Sequence, residues 1–320
     1  MQKRQRVISK DWQKEMENKQ SLASQGPGKY HESVMVDQVI SALHICSRSK
    51  HLKKACKYID ATLGTGGHTL EILKLGGEVL GIDLDPKMVE MSRKRIGKEI
   101  LDRDKYSLVN GNFTDIDRIA KENGFEKVSG ILLDLGVSNL HLKDLERGFS
   151  FANREAPLDM RINPEAQGVK ASDLLNILRE DQLRNLFEVT IEPGPAKWIS
   201  KKVTEFRKRS PILKVNDMLE ICDGLRTGKH GLNEATLPFL ALRIAVNSEL
   251  ENLKEVLPKA YNLLEVGGRL VVISFHSGED KIVKDFMTGK GVSGFDIASA
   301  DELEGNPRAR SAKMRILEKK

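Results

Sequence analysis

With 320 residues and 39% hydrophobic content, the chain can bury a large core, either one α/β domain or a core domain carrying a smaller insert. A formal charge of +6 allows an acidic polymer as partner. Met1 to Asn18 mixes Lys and Arg with Asp11, Glu15 and Glu17 and lacks the apolar stretch of a secretory signal. No run approaches the roughly 20 apolar residues that span a bilayer, so the expectation is a cytoplasmic protein with no membrane partner. Cys46, Cys56 and Cys222 are widely spaced and form no C-x-x-C pair, which predicts reduced thiols rather than a disulfide framework or a zinc site.

Along the chain, residues 1–29 are polar and end in Ser24-Gln25-Gly26-Pro27-Gly28, an N-terminal arm without a fold of its own. Strand-like runs follow at 57–62, 78–83, 106–109, 129–135 and 269–275, with helical patterns between them. That alternation predicts an α/β fold with a doubly wound, mostly parallel sheet. The rhythm breaks once: about 130 residues separate the fourth and fifth runs, against roughly 30 in a βαβ unit. Helical patterns at 171–178, 180–187, 196–207 and 216–225 fill the gap, so 141–232 reads as a helical insert for substrate recognition. The core is then split into 30–140 and 233–320. Its second part opens with a long amphipathic helix over 236–264, with Pro258 as the candidate break, leading to Gly267-Gly268 and the last core strand.

Asp60-Ala-Thr-Leu-Gly64-Thr-Gly66-Gly67-His68-Thr69 follows the first strand and opens a helix. Close glycines let backbone N–H groups approach a ligand at a helix N-terminus. A dinucleotide fingerprint wants a third glycine where Thr69 stands, and the acidic Asp60 suits a cationic amino-acid ligand better than a pyrophosphate. Asp83, at the end of the second strand, is placed to accept both hydroxyls of a ribose. The neighbouring Asp85-Pro86 reads as a helix N-cap with Pro at the first helical position. Asn110-Gly111-Asn112-Phe113 offers an adenine a polar group and an aromatic face. Asp134 follows a fully apolar fourth strand, beside the glycine loop, where ligands of open α/β sheets bind.

With these residues in view, the chain resembles the bacterial small-subunit (16S) ribosomal RNA cytosine-N4 methyltransferases. The matching stretches include His31-Glu-Ser-Val, Asp60 to His68, Gly130 to Ser138, Glu146 to Phe151, Pro157 to Arg161, Ala241 to Leu250, Ser274 to Ser277 and Asn306 to Ala312. The resemblance implies a Rossmann-like class I methyltransferase fold and S-adenosyl-L-methionine as methyl donor. It implies methylation of the N4 amino group of a cytosine in the decoding region. The expected partner is small-subunit ribosomal RNA, free or in the assembled 30S subunit, and a homodimer stays open. It assigns cofactor contacts to Gly66, Gly67, His68, Asp83, Phe113 and Asp134, and one more to His141, where the family usually has Gln. The family's Y-G-E-E-R reads Thr190-Ile191-Glu192-Pro193-Gly194 here, and its A-T-R-T-F-Q reads Ala235 to Leu240. These departures touch recognition or packing more than methyl donation.

A methyl group leaves a sulfonium by in-line attack, so alignment and exclusion of water are the main tasks. Asp134 is the candidate catalytic acceptor of the amino hydrogens, with Ser138 and Asn139 as polar alternatives. The target base must be unstacked into a pocket, where Phe149 and Phe151 are candidates to stack on it, although aromatics at period two more often pack. Arg147, Arg154, Arg161, Arg243, Arg308, Arg310, Lys313 and Arg315 are candidates to meet phosphates, with internal ion pairing as the alternative for at least half. His276 follows the last core strand and either lines the acceptor pocket or is a structural histidine. No grouping has metal-ligand spacing, so no metal is expected. A nicotinamide-dependent oxidoreductase using Asp83, and a non-catalytic RNA-binding factor retaining the pocket, fit many of the same residues.

Overall fold

The computed structural model describes residues 33–45, 56–228, 231–291 and 294–320. The N-terminal arm, His31 and Cys46 lie outside them. Seven strands form one sheet in the order β3-β2-β1-β4-β5-β7-β6. They are β1 (Lys57–Asp60), β2 (Glu78–Asp83), β3 (Tyr106–Asn110), β4 (Val128–Asp134), β5 (Leu264–Ser274), β6 (Asp296–Ile297) and β7 (Lys313–Glu318). β1 to β5 pair in parallel, and β7 runs antiparallel between β5 and β6. This is the doubly wound class I methyltransferase arrangement. The order reverses between β1 and β4, which puts the binding crevice at their carboxyl ends.

Strands buried on both faces read as near-continuous apolar runs, and successive residues serve opposite layers. Ile59, Leu80, Ile82, Ile131, Leu133 and Val272 join one cluster, packed under α4 (Ile116–Glu122), α11 (Glu249–Leu263) and α12 (Ser277–Thr288). Tyr58, Val79, Leu132, Val271 and Ile273 join the other, under α1 (Val36–Leu43), α2 (Gly67–Lys74) and α3 (Pro86–Glu99). A third cluster lies off the sheet. It gathers Phe149, Leu158 and Met160 with apolar residues of α6 (Ala171–Ile177), α7 (Glu180–Glu188), α8 (Pro193–Arg207), α9 (Val215–Cys222) and α10 (Thr236–Asn247). The short α5 (Asn139–Lys143) leads into it from β4, and α13 (Ala300–Gly305) precedes β7.

Three expectations need correction. The long helix over 236–264 is two helices, broken at Ser248 rather than at Pro258. Ser248 takes a left-handed backbone (φ 49°) that no α-helix continues through. Pro258 lies on the exposed side of α11, where hydration tolerates one missing ladder bond. Gly267-Gly268 does not precede the last parallel strand but lies inside β5, where the pairing with β4 shifts register. With φ 82°, Gly267 permits that irregularity. Finally, Cys56 is disulfide-bonded and only Cys222 is a free, buried thiol among the described residues, because spacing alone does not tell which cysteines meet.

Candidate functional site

Backbone and side-chain hydrogen bonds lace the strand ends together. The Leu63 amide donates to the Ile82 carbonyl (2.9 Å), and the Gly64 amide donates to Asp83 Oδ2 (2.7 Å). Asp83 Oδ1 accepts from the Asp85 amide (2.8 Å), while the Asp83 carbonyl accepts from the Gly111 amide (3.0 Å) and Asn110 Nδ2 (2.9 Å). The Asp134 amide donates to Thr62 Oγ1 (2.6 Å). Gly66 caps α2 with φ 76°, a conformation that suits glycine, and a Cβ there would press within 3.1 Å of Ile96 and Ser92. Gly67 and His68 open α2, and His68 Nε2 lies 3.6 Å from Asp134 Oδ2. Phe113 follows β3 half-buried, its turn capped by Asn112, which accepts from the Thr114 amide. Gly66, Gly67, His68, Asp83, Phe113 and Asp134 thus gather along one edge of the sheet.

The cradle is acidic and incompletely satisfied. Burial pushes the Asp60 carboxyl up, against the nearby His68 and a hydrogen bond from Thr69 Oγ1 (2.7 Å). Burial raises Asp83 to about 7, opposed by its two amide donors. His68 Nδ1, His68 Nε2 and Asp134 Oδ1 are buried without a hydrogen-bond partner, although His68 is only 4% exposed. Buried polar atoms are rarely left so in a native protein, and each costs roughly 1–3 kcal/mol unless a ligand completes it.

The segment after β4 is built the other way. Asp85, 2% exposed, caps α3 by accepting from the Lys87 amide (2.8 Å) ahead of Pro86. Its Oδ2 also meets His141 Nε2 (2.8 Å) and Arg147 (3.2 Å). Burial would raise Asp85, yet these partners hold it below the usual carboxylate range. Ser138 caps α5 by accepting from the Leu140 amide (3.2 Å), and its own amide donates to His141 Nδ1 (3.1 Å). An accepting Nδ1 makes Nε2 the protonated nitrogen of a neutral ring, so His141 donates to Asp85. Asn163 Nδ2 donates to the Leu84 carbonyl (3.0 Å), tying the Pro157–Gln167 stretch to the same turn.

A sequence model of the MraW methylase family matches residues 28–295. The chain belongs to that family. Three relatives share the name Ribosomal RNA small subunit methyltransferase H. The protein of Methylacidiphilum infernorum is 41% identical over 85% of this chain and 93% of its own length. That of Dictyoglomus thermophilum is 38% identical over 91% and 97%, and that of Fusobacterium nucleatum 40% over 82% and 90%. Membership makes the chain an S-adenosylmethionine-dependent methyltransferase, and it removes the nicotinamide-dependent alternative.

The residues expected to meet substrate are mostly engaged within the protein. Arg161 donates to both oxygens of Asp159 (2.7 Å each) and to the carbonyls of Pro164 and Gln167. Arg243 holds Glu249 in a bidentate pair (2.8 and 2.9 Å), and Arg315 and Lys313 hold Asp280. Arg147 reaches Asp85 and the carbonyls of Arg161 and Ile162, leaving only its Nε without a partner. Phe149 is buried beside His141, and Phe151 packs edge-on to Phe239 at 4.7 Å. His276 caps α12, its Nδ1 accepting from the Glu279 amide (3.4 Å). Arg310 is exposed, and among the described residues the Arg154 side chain reaches only Asn216 (3.5 Å). The side chains of Asn139 and Arg308 lie outside the described residues.

Glu249, His276 and Glu279 bring ligand-type atoms within 4.8 Å of one another, a grouping hidden by their separation in sequence. The Arg243 guanidinium already supplies the cation there. Although burial opposes it, His276 and Arg243 hold Glu279 low. Sequence reasoning also missed Asn247. Its Oδ1 accepts from the Ile162 amide and Gln167, and its Nδ2 donates to the carbonyls of Met160 and Arg243. The only signal was its place in the long matching stretch Ala241 to Leu250.

Proposed function

We propose that this methyltransferase acts on the N4 amino group of a cytosine in the decoding region of small-subunit ribosomal RNA, in the cytoplasm. The observation that carries the site is the set of unpartnered buried atoms on His68 and Asp134, between the glycine loop and the end of β4. The family membership and the shared name of the three relatives support the substrate class.

The residues present fit the cofactor. Three acidic side chains suit its cationic amino-acid end and ribose, and the unfilled polar atoms of His68 await a partner. In this reading Gly66, Gly67 and His68 face the amino-acid part, Asp83 the ribose and Phe113 the adenine. Bound S-adenosylmethionine supplies an electrophilic methyl group on a leaving sulfonium. The chain's own contribution is placement and one proton. Asp134, its backbone pinned to Thr62 and its Oδ2 facing His68, presents Oδ1 to the cytosine amino group and takes the proton that N4 sheds as it is methylated. His141, with both nitrogens bound internally and its ring beside Phe149, braces the Asp85 turn that borders the cofactor cradle. We propose that 141–232 takes the RNA, as free transcript or assembled 30S subunit, with the protein as monomer or homodimer.

Small subunits and naked 16S RNA from cells lacking the activity, incubated with the protein and methyl-labelled cofactor, test this directly. Nucleoside mass spectrometry should find N4-methylcytidine, absent with Asp134→Ala. Label on another base or position, or none, would defeat the assignment.

A further inference from the structure

Positive charge is concentrated in α8 and the two residues that follow it. Residues 193–209 contain Lys197, Lys201, Lys202, Arg207, Lys208 and Arg209 against Glu205 alone, which is five of the chain's net +6. Arg207 turns inward and donates to the carbonyls of Leu175 and Leu178 (2.7 Å each). The other five cations are exposed. At 100° per residue, Lys197, Lys201, Lys208, Trp198, Arg209 and Lys202 fall within one face about 140° wide. The opposite face, with Ala196, Ile199 and Val203, is fully buried in the helical cluster.

Among the described residues, single unpaired lysines such as Lys98 and Lys254 occur on other helices, and what sets this face apart is several of them beside an exposed aromatic. On α3, Lys94 pairs with Glu90, while Arg93 and Arg95 are bonded to backbone carbonyls. On α11, Lys259 pairs with Glu255, and on α7, Arg184 pairs with Glu188. On α8 the sole ion pair is Lys201 with Glu205, at 3.8 Å, and Lys197 and Lys208 have no acidic partner among the described residues. Among these cations lies Trp198, a large aromatic left 36% exposed, with Lys202 Nζ 5.1 Å from its ring centre. Spaced cations beside an exposed aromatic face suit a phosphate chain with unstacked bases. A membrane surface does not fit, because the apolar face that would enter lipid is already spent in the core.

We propose that the exposed face of α8 is the RNA-docking surface of the helical segment, with Lys197, Lys201, Lys202 and Lys208 on phosphates and Trp198 stacked on a base. This rests on the proposed RNA substrate. The surface would set affinity for RNA rather than the chemical step, and it would compensate for arginines near the crevice that are spent on internal pairs.

The test uses the full-length protein and a 16S ribosomal RNA transcript. Lys197→Glu, Lys201→Glu and Lys202→Glu combined should raise the Kd for RNA at least about tenfold. The slope of log Kd against log salt should fall by about two, at roughly 0.7–0.9 per lost phosphate contact. Affinity for S-adenosylhomocysteine and the thermal midpoint should stay unchanged, and the Arg triple at the same positions should retain binding. Trp198→Ala should weaken RNA binding at least about fivefold, and RNA should quench Trp198 emission in a Trp12→Phe background. A control of equal charge, Lys254→Glu with Lys281→Glu and Lys284→Glu, should lose far less. If the wild type methylates RNA while the α8 variant binds it as tightly, or the control loses as much, the surface is wrong and the activity stands. An α8 variant that loses only a protein partner would likewise overturn it. Failure of the wild type to bind RNA at all would instead strike the proposed function.

Discussion

The two sides of the crevice differ in how their polar atoms are used. Between the glycine loop and the end of β4, His68 and Asp134 keep buried atoms without partners. Around the segment that follows β4, Asp85, His141, Arg161, Arg243 and Asn247 are bonded almost to saturation. Residue type is therefore a poor guide to binding, and unspent hydrogen-bonding capacity a better one. Arginines after β4 look from sequence like phosphate ligands, yet here they brace the loops that border the site.

The comparison predicts opposite phenotypes for the two sides. Asp134→Ala should lower methyl transfer by at least about 100-fold with little loss of thermal stability, because it removes an unspent acceptor and breaks no network. A chevron or melting curve displaced as far as that of a core variant would place Asp134 with the braces instead. Asp85→Ala should do the reverse first. It leaves the His141 donor buried without an acceptor and takes the nearer carboxylate from Arg147, which keeps the Arg161 and Ile162 carbonyls, at a cost of about 3 kcal/mol, read from urea unfolding. Asn247→Ala removes four hydrogen bonds at a buried position and should cost about 2–3 kcal/mol by the same measurement.

The smallest effect is one of pH. Asp83, raised by burial to about 7, binds a proton in the folded state well above the usual carboxylate range. The unliganded protein should therefore lose stability as pH rises from about 4 to 7, since the folded state holds the proton more tightly than the unfolded chain. Accepting both ribose hydroxyls needs the ionised carboxylate, so affinity for S-adenosylhomocysteine should rise up to about tenfold from pH 6 to 8. Asp83→Asn should flatten that profile. An unchanged slope in the variant would assign the titration elsewhere.

Much of the cofactor side was legible because its signals are local. Glycines and acids directly after apolar runs mark strand ends, and β2 begins and ends where its pattern says. Asp85-Pro86 does cap α3 as the dipeptide suggests, but its second task depends on His141 and Arg147, 56 and 62 residues away. The sequence carries no trace of that meeting. β7 escaped notice because Lys313, Arg315 and Glu318 interrupt a strand whose neighbour pairs antiparallel. Ser248 breaks a helix with a residue that gives no warning, and the more conspicuous Pro258 does not. In the insert, helix periods were readable, while the start of α8 moved to Pro193, an ordinary first helical residue.

Calorimetric titration of S-adenosylhomocysteine into wild type and His68→Ala tests most directly whether the unpartnered atoms are the cofactor's place. One site per chain is expected in the wild type and at least about tenfold weaker binding in the variant, with the melting temperature kept. Equal affinity in both proteins would contradict it.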